Sequence, residues 1–234
     1  MAPKAEIQSL PEVPRPLDVT SQEYAYRRLR HSLMIGAIDP GRALTIRGLA
    51  EAIGVSPTPV REALRRLSSE NALLVLENRR IMVPEMTTQR FEELVALRCC
   101  IEAQAAERAL PYMSEVKIDE LEMIDARIDS AFEAGDLEAS TLLNHRFHTE
   151  LHAANPVPVA LPMIESLRLQ LGPFLRVAAR YAQEYYTVDR HKEIIAALRK
   201  RDAIALAMAV ESDIRDGVGR LGRNALRRIL GEAA

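Results

Sequence analysis

Residues 46–67 read IRGLAEAIGVSPTPVREALRRL, and the organisation of the chain follows from how this stretch folds. Leu49, Ala50 and Ile53 recur at helical spacing, so Ile46 to Ile53 is expected as a short helix. Gly54 ends it where a left-handed backbone is needed. Ser56 or Thr58 then caps a further helix, with Pro57 and Pro59 in a first turn that has little use for their missing N–H groups. Val60, Ala63, Leu64 and Leu67 form its inner stripe, while Arg61, Arg65 and Arg66 fall largely off it. Two short helices joined by Gly-Val, the second opening with hydroxyls and arginine, make a helix-turn-helix pattern. Its chemistry suits double-stranded DNA: hydroxyls and helix N-terminal amides meet phosphate, and a guanidinium forks onto guanine O6 and N7. Spacing alone leaves open an ordinary pair of packed helices whose arginines face solvent.

Upstream, Tyr26, Leu29, Leu33 and Met34 give a helix from Ser21, its expected cap, to Gly36, its expected stop. Asp39-Pro40-Gly41 reads as a turn. Downstream, Leu73–Leu76 and Arg80–Val83 read as two short strands around Glu77-Asn78-Arg79, a hairpin of the right size for a wing. Arg79 and Arg80 there suit a minor-groove or backbone contact, or a solvated tip. The expected organisation is a flexible arm over residues 1–20, a winged helix-turn-helix over 21–83 and a linker over 84–90. A helical domain over 91–234 completes it.

Charge is distributed to match. The chain has a net charge of −2, yet residues 1–83 hold 12 Lys/Arg against 9 Asp/Glu and the remainder 19 against 24. With 48% hydrophobic residues the chain can bury a core, and few aromatics with abundant Ala, Leu, Arg and Glu favour helix. Cys99 and Cys100 are adjacent and lack the spacing of a zinc or redox pair, so both are expected as buried or half-buried thiols. The first twenty residues have no apolar core of a signal peptide, and no stretch resembles a membrane span. A soluble, cytoplasmic protein with no membrane partner is expected.

Beyond residue 90 the apolar residues recur at three and four. Helices are expected at about 91–110, 116–134, 137–155 and 159–185, the last kinked at Pro162 and at Gly172-Pro173. HKEIIAALRKRD and a final helix over 203–230 complete an all-α bundle of about six. The fold class is thus mainly α, with three N-terminal helices and a small hairpin wing ahead of the bundle. His148 lies four residues from both Asn144 and His152, and histidines and carboxylates at that spacing on facing helices are how bundles build metal sites. A half-buried histidine is more often a hydrogen-bonded structural residue.

Residues 24–74 resemble the DNA-binding domain of GntR-type regulators, with GVSPTPVREAL its most specific phrase. The resemblance implies DNA-contacting roles for Arg47, Ser56, Thr58 and Arg61, with Arg65 and the wing arginines Arg79 and Arg80 added to the candidate set. Pro57 stands where many members have arginine, which implies one contact fewer, and Asn78-Arg79-Arg80 replaces the glycines usual near the wing tip. The segments LVALRCCIEAQAAERA, NHRFHTELHAAN and HKEIIAALRKRDAIALAMAVESDI resemble the FCD domain, the ligand-binding half of FadR-type members. In metal-binding FCD domains an aspartate and three histidines form the site; mapped here they are Asn144, His148, His191 and Asp213. Two positions match, and two are exchanged. His148, His191 and Asp213 would suit a divalent metal, zinc or nickel first, with Asn144 a weaker carbonyl ligand; a metal-free polar pocket is the competing reading. Arg98 falls where FCD relatives present arginine to the pocket, and Arg168 or Arg176 would assist in holding an organic-acid effector.

The expected function is therefore a homodimeric regulator, a repressor first, that binds an inverted-repeat operator and changes affinity when a small carboxylate binds. One rival is a metal-dependent enzyme in the bundle, disfavoured because no persuasive general base, nucleophile or Gly-rich phosphate loop is present. The other is a ligand-independent DNA-binding protein, which ligand-induced stabilisation would exclude.

Overall fold

A computed structural model describes residues 10–76, 80–181 and 190–230. Backbone packing divides the chain into two compact units, residues 1–86 with 168–177, and residues 87–167 with 178–234.

The first unit holds α1 (Ser21–Met34), β1 (Ala43–Leu44), α2 (Ile46–Ile53), α3 (Pro57–Ser69), β2 (Leu74–Val75) and β3 (Ile81–Met82). Thr20, not Ser21, caps α1: its hydroxyl accepts the Glu23 N–H, because the cap residue must stay extended while Ser21 is already helical. The α2 helix has the expected bounds, and Gly54 closes it at φ +76°, a conformation that costs an L-residue roughly 1–2 kcal/mol. All four residues of the predicted α3 stripe are buried. Together with Leu29, Leu33, Ile38, Leu49, Ile53, Leu73 and Val83 they form one core, each large side chain contributing about 1.5–3 kcal/mol of burial. The strands are antiparallel in the order β1-β3-β2, with Val75 opposite Ile81. β1 went unpredicted because two residues are too few to show alternation; it is a strand only because β3 pairs with it. The predicted tip, Glu77 to Arg79, lies outside the described residues.

Part of the expected arm is packed. Leu10 is buried in the first unit's core, and the buried Arg28 donates to the Leu10, Pro11 and Ile53 carbonyls. Apolar and carbonyl partners distant in sequence supply order that local periodicity did not signal.

The second unit contains α4 (Thr88–Ala109), α5 (Glu115–Glu133), α6 (Leu137–Ala153), α8 (His191–Lys200), α9 (Ala203–Ile214) and α10 (Arg220–Leu230); α7 (Leu161–Tyr181) is divided between the units. α4 packs on α9 and α6, and α5 on α6 and α8, around Phe91, Ile118, Leu121, Phe147, Leu151, Leu198 and Val210. Pro162 introduces no break, since α7 starts at Leu161 and a first-turn proline needs no N–H, while Pro173 lies inside the helix. The predicted 203–230 helix runs on through a π-helical turn at Arg215–Gly219, which starts two residues after Asp213. Gly222 follows, where an added Cβ would lie 2.1 Å from the Phe91 ring, so the α10–α4 approach requires glycine. Cys99 is buried as expected, but Cys100 is exposed, one residue around the same helix. Among the described residues no helix is long and apolar enough to cross a membrane.

Candidate functional site

Each unit carries one candidate site. In the first, Arg47 is the second residue of α2 and exposed. With Ala50, Glu51, Gly54, Val55 and Ser56 it lines an open cleft of about 470 Å³. Gly54 turns the chain so that α3 begins at this cleft. Ser56 occupies its cap position, but its hydroxyl makes no capping hydrogen bond and stands exposed. Of the first three helical residues, Pro57, Thr58 and Pro59, only Thr58 has an N–H. The two prolines thus remove donors that a helix N-terminus ordinarily offers an anion, and Ser56 and Thr58 stand exposed beside them.

Thr58, Arg61 and Arg65 follow at i, i+3 and i+7 on one exposed face of α3. Arg65 Nε also lies 3.1 Å from Glu62 Oε2, an exposed pair that water screens. Arg66 is different: its guanidinium sits 3.5 Å from the Tyr26 ring centroid and pairs with Glu23 and Glu70, which ties α3 to α1. Arg80 is exposed, and its carbonyl accepts the Leu76 N–H at 2.8 Å to close the base of the wing. Arg79 lies outside the described residues.

The second unit assembles a buried polar cluster from five helices. His148 comes from the inner face of α6, His191 is the first residue of α8, and Asp213 lies near the end of α9. His148 Nε2 is 3.2 Å from Asp213 Oδ2, and His191 Nε2 is 3.9 Å from Asp213 Oδ1. All three are buried, with ligand atoms within 4.8 Å of one another. Asn144 Nδ2 is 3.3 Å from His191 Nε2, so the fourth predicted residue joins them through its amide. Burial pushes the Asp213 carboxyl upward, but the His148 hydrogen bond and the charges of His148, His191 and Arg98 hold it below the ordinary carboxylate value.

Asp125, on α5, was not foreseen as a site residue. Its Oδ1 lies 2.9 Å from His191 Nδ1, which makes Nδ1–H the donor and turns the Nε2 lone pair toward Asp213. Phe147 stacks on the same ring at 4.2 Å. A signal did exist: Asp125 interrupts the buried stripe of Ile118, Leu121, Ile124 and Ile128. An acid there needs a buried partner.

The cluster also extends beyond the predicted four. Glu102 Oε2 lies 3.3 Å from His152 Nε2, and Glu102, His148 and His152 form a second group with converging ligand atoms. A potential metal-coordinating His/Asp/Glu cluster therefore exists, with a composition broader than the predicted Asn-His-His-Asp set. Its donors fit a divalent ion: imidazoles and carboxylates converge, and one imidazole is already oriented from behind by a carboxylate. Arg98 is buried beside it, with Nε donating to Glu102 Oε1 at 2.6 Å, so this guanidinium already has an internal carboxylate partner. Arg168, also buried, belongs to the first unit, and Arg176 on the same helix is exposed.

Comparison with known proteins agrees with this two-part arrangement. Residues 21–83 match the bacterial regulatory proteins of the gntR family, and residues 93–216 match the FCD domain. The chain is 33% identical over 177 residues to the HTH-type transcriptional regulator McbR of Escherichia coli (strain K12), covering 74% of this chain and 80% of that one. It is 25% identical over 204 residues to the gluconate operon transcriptional repressor of Bacillus subtilis (strain 168), covering 84% and 83%. The solved structure of E. coli McbR/YncC superposes with a TM-score of 0.78 at 28% identity, covering 88% of this chain and 98% of that one. The winged helix-turn-helix, the helical bundle and these matches together place this chain in the GntR family of DNA-binding transcription regulators, as a member with an FCD domain.

Proposed function

We propose that this chain is a FadR-type repressor that acts as a homodimer, and that a small organic acid bound in its helical unit sets its operator affinity. The observation that carries the sensing half is the convergence of His148, His191 and Asp213 in one buried cluster with Asp125 behind His191. These three residues would hold a divalent ion, zinc or nickel, and Asn144 would add its carbonyl oxygen once the amide turns over. Such an ion would supply a Lewis-acidic contact to an effector carboxylate. Arg98 would add a charge-assisted contact through the guanidinium nitrogens not used on Glu102. That a similar protein is a repressor of a gluconate operon supports an acid of the sugar- or hydroxy-acid kind.

DNA contact is assigned to Arg47, Ser56, Thr58, Arg61 and Arg65, with Arg80 and, outside the described residues, Arg79 added as candidates. Ser56 and Thr58 meet phosphate, Arg61 reads a base edge, and Arg47 and the wing arginines hold the register. A ligand changes operator affinity only if it prefers one pose of the dimer over the other.

The test is thermal melting of chelator-stripped protein with zinc or nickel and a panel of small carboxylates, separately and together. A ligand at a hundred times its Kd stabilises the folded form by about 2.7 kcal/mol, a shift of a few degrees. The expected result is a carboxylate shift that requires metal and disappears in His148→Ala. A carboxylate shift independent of metal would replace this reading with a metal-free pocket led by Arg98. No shift with any combination would overturn the sensing half.

A further inference from the structure

We propose a second metal position in the same bundle, formed by Glu102, His148 and His152 and alternative to the one at His148, His191 and Asp213. It rests on the reading of the cluster as a metal site, and it adds ligands outside the predicted four. His148 and His152 are four residues apart on α6, and their rings lie 6.3 Å apart at an interplanar angle of 27°. Helical spacing thus presents both imidazoles to one side. Glu102 closes the set from α4, and the three residues are 0–2% exposed. The 3.3 Å between Glu102 Oε2 and His152 Nε2 suits two ligands of one ion, since bonds of ~2.1 Å in a tetrahedron put ligand atoms about 3.4 Å apart.

Two further features support the assignment. Arg98 holds Glu102 by Oε1 at 2.6 Å, which orients the carboxylate with its other oxygen on His152; ligating carboxylates are ordinarily anchored in this way. The buried charged side chains described in this unit, besides the histidines, are Arg98, Glu102, Asp125 and Asp213. A metal-ligating imidazole is neutral, and a divalent cation at either position then offsets the charge of the buried Glu102, Asp125 and Asp213 carboxylates.

The two positions are alternatives because they share His148. An imidazole bound to one ion keeps a proton on its other nitrogen, and bridging two ions would require that last proton to leave. One ion per chain is expected, held more tightly by His191 and Asp213 than by Glu102, whose carboxylate is already engaged by Arg98.

Cobalt(II) is the probe, with bound metal counted after equilibrium dialysis and d–d absorption reporting the ligands. The parent protein should bind one Co(II) per chain. His191→Ala and Asp213→Asn, each checked for helical content by circular dichroism, should still bind one, about 10- to 100-fold more weakly and with an altered spectrum. Adding Glu102→Gln or His152→Ala to either should abolish the residual binding, as His148→Ala alone should. If folded His191→Ala and Asp213→Asn lose Co(II) as completely as His148→Ala, the second position is refuted while the first stands. Residual binding indifferent to Glu102→Gln and His152→Ala refutes it as well. A parent that binds no Co(II) removes both positions and the metal reading with them.

Discussion

Two kinds of side chain divide the labour at the residue scale, and they differ in what surrounds them. Arg61 is exposed on α3 with Thr58 and Arg65 on the same face, whereas Arg66 is committed to Tyr26, Glu23 and Glu70. Arg61→Ala should therefore weaken operator binding by about 1–3 kcal/mol and relax preference at one base pair, while Arg47→Ala should weaken all sequences alike and reduce the salt slope by about 1. Fluorescence anisotropy against operator and scrambled duplexes over a range of salt separates the two. In the buried cluster Asp125 touches His191 on the side away from Asp213. Asp125→Asn keeps the shape but weakens the acceptor for Nδ1–H, so metal affinity should fall about 10- to 100-fold with secondary structure unchanged. An unchanged metal Kd would make Asp125 a packing residue only.

Elements are held by partners that lie on other elements. α1 and α3 meet through the apolar stripe and through Tyr26, whose hydroxyl donates to Glu70 at 2.7 Å. Burial, then this hydrogen bond and the Glu70 charge, push the Tyr26 phenol up to about 12. The folded protein keeps this proton in a range where the unfolded chain, with a phenol near 10, has lost it. Stability from this group is thus complete below about pH 10 and is lost as pH rises from about 10 to 12. Denaturant titrations at pH 9 and pH 11 should show a smaller loss in Tyr26→Phe than in the parent; equal losses would mean that the phenol is not perturbed. In the second unit, α9 continues through the π-helical turn into α10, whose Gly222 lies against Phe91 in the first turn of α4. π-Helical turns of this kind are common beside functional sites, and this one starts two residues after Asp213.

For the whole molecule, the proposed function gives recognition to the first unit and sensing to the second. A two-fold dimer would present two copies of α3 about one DNA turn apart, so half-site centres should lie ~34 Å from each other. Inserting five base pairs between half-sites rotates one by half a turn and should reduce affinity to that of a single half-site; an insertion of ten should restore much of it. Insensitivity to both insertions would exclude symmetric binding. Negative charge in excess after residue 83 and positive charge in excess before it agree with DNA meeting the first unit.

The sequence alone determined the helices, the α2–α3 turn and the identities of His148, His191 and Asp213 as neighbours. Helical period, Gly54 and the two prolines are local signals, and a family resemblance carried the ligand set. What only the tertiary structure decided was which distant partners complete those groups. β1 is a strand because β3 lies beside it, Leu10 is ordered because Arg28 gathers carbonyls from two segments, and Asp125 and Glu102 matter because α5 and α4 aim them at histidines. Hydrogen bonds between residues more than forty positions apart, such as Asp125 with His191, leave no periodic trace in a sequence. They become visible only when burial forces each polar group to find a partner.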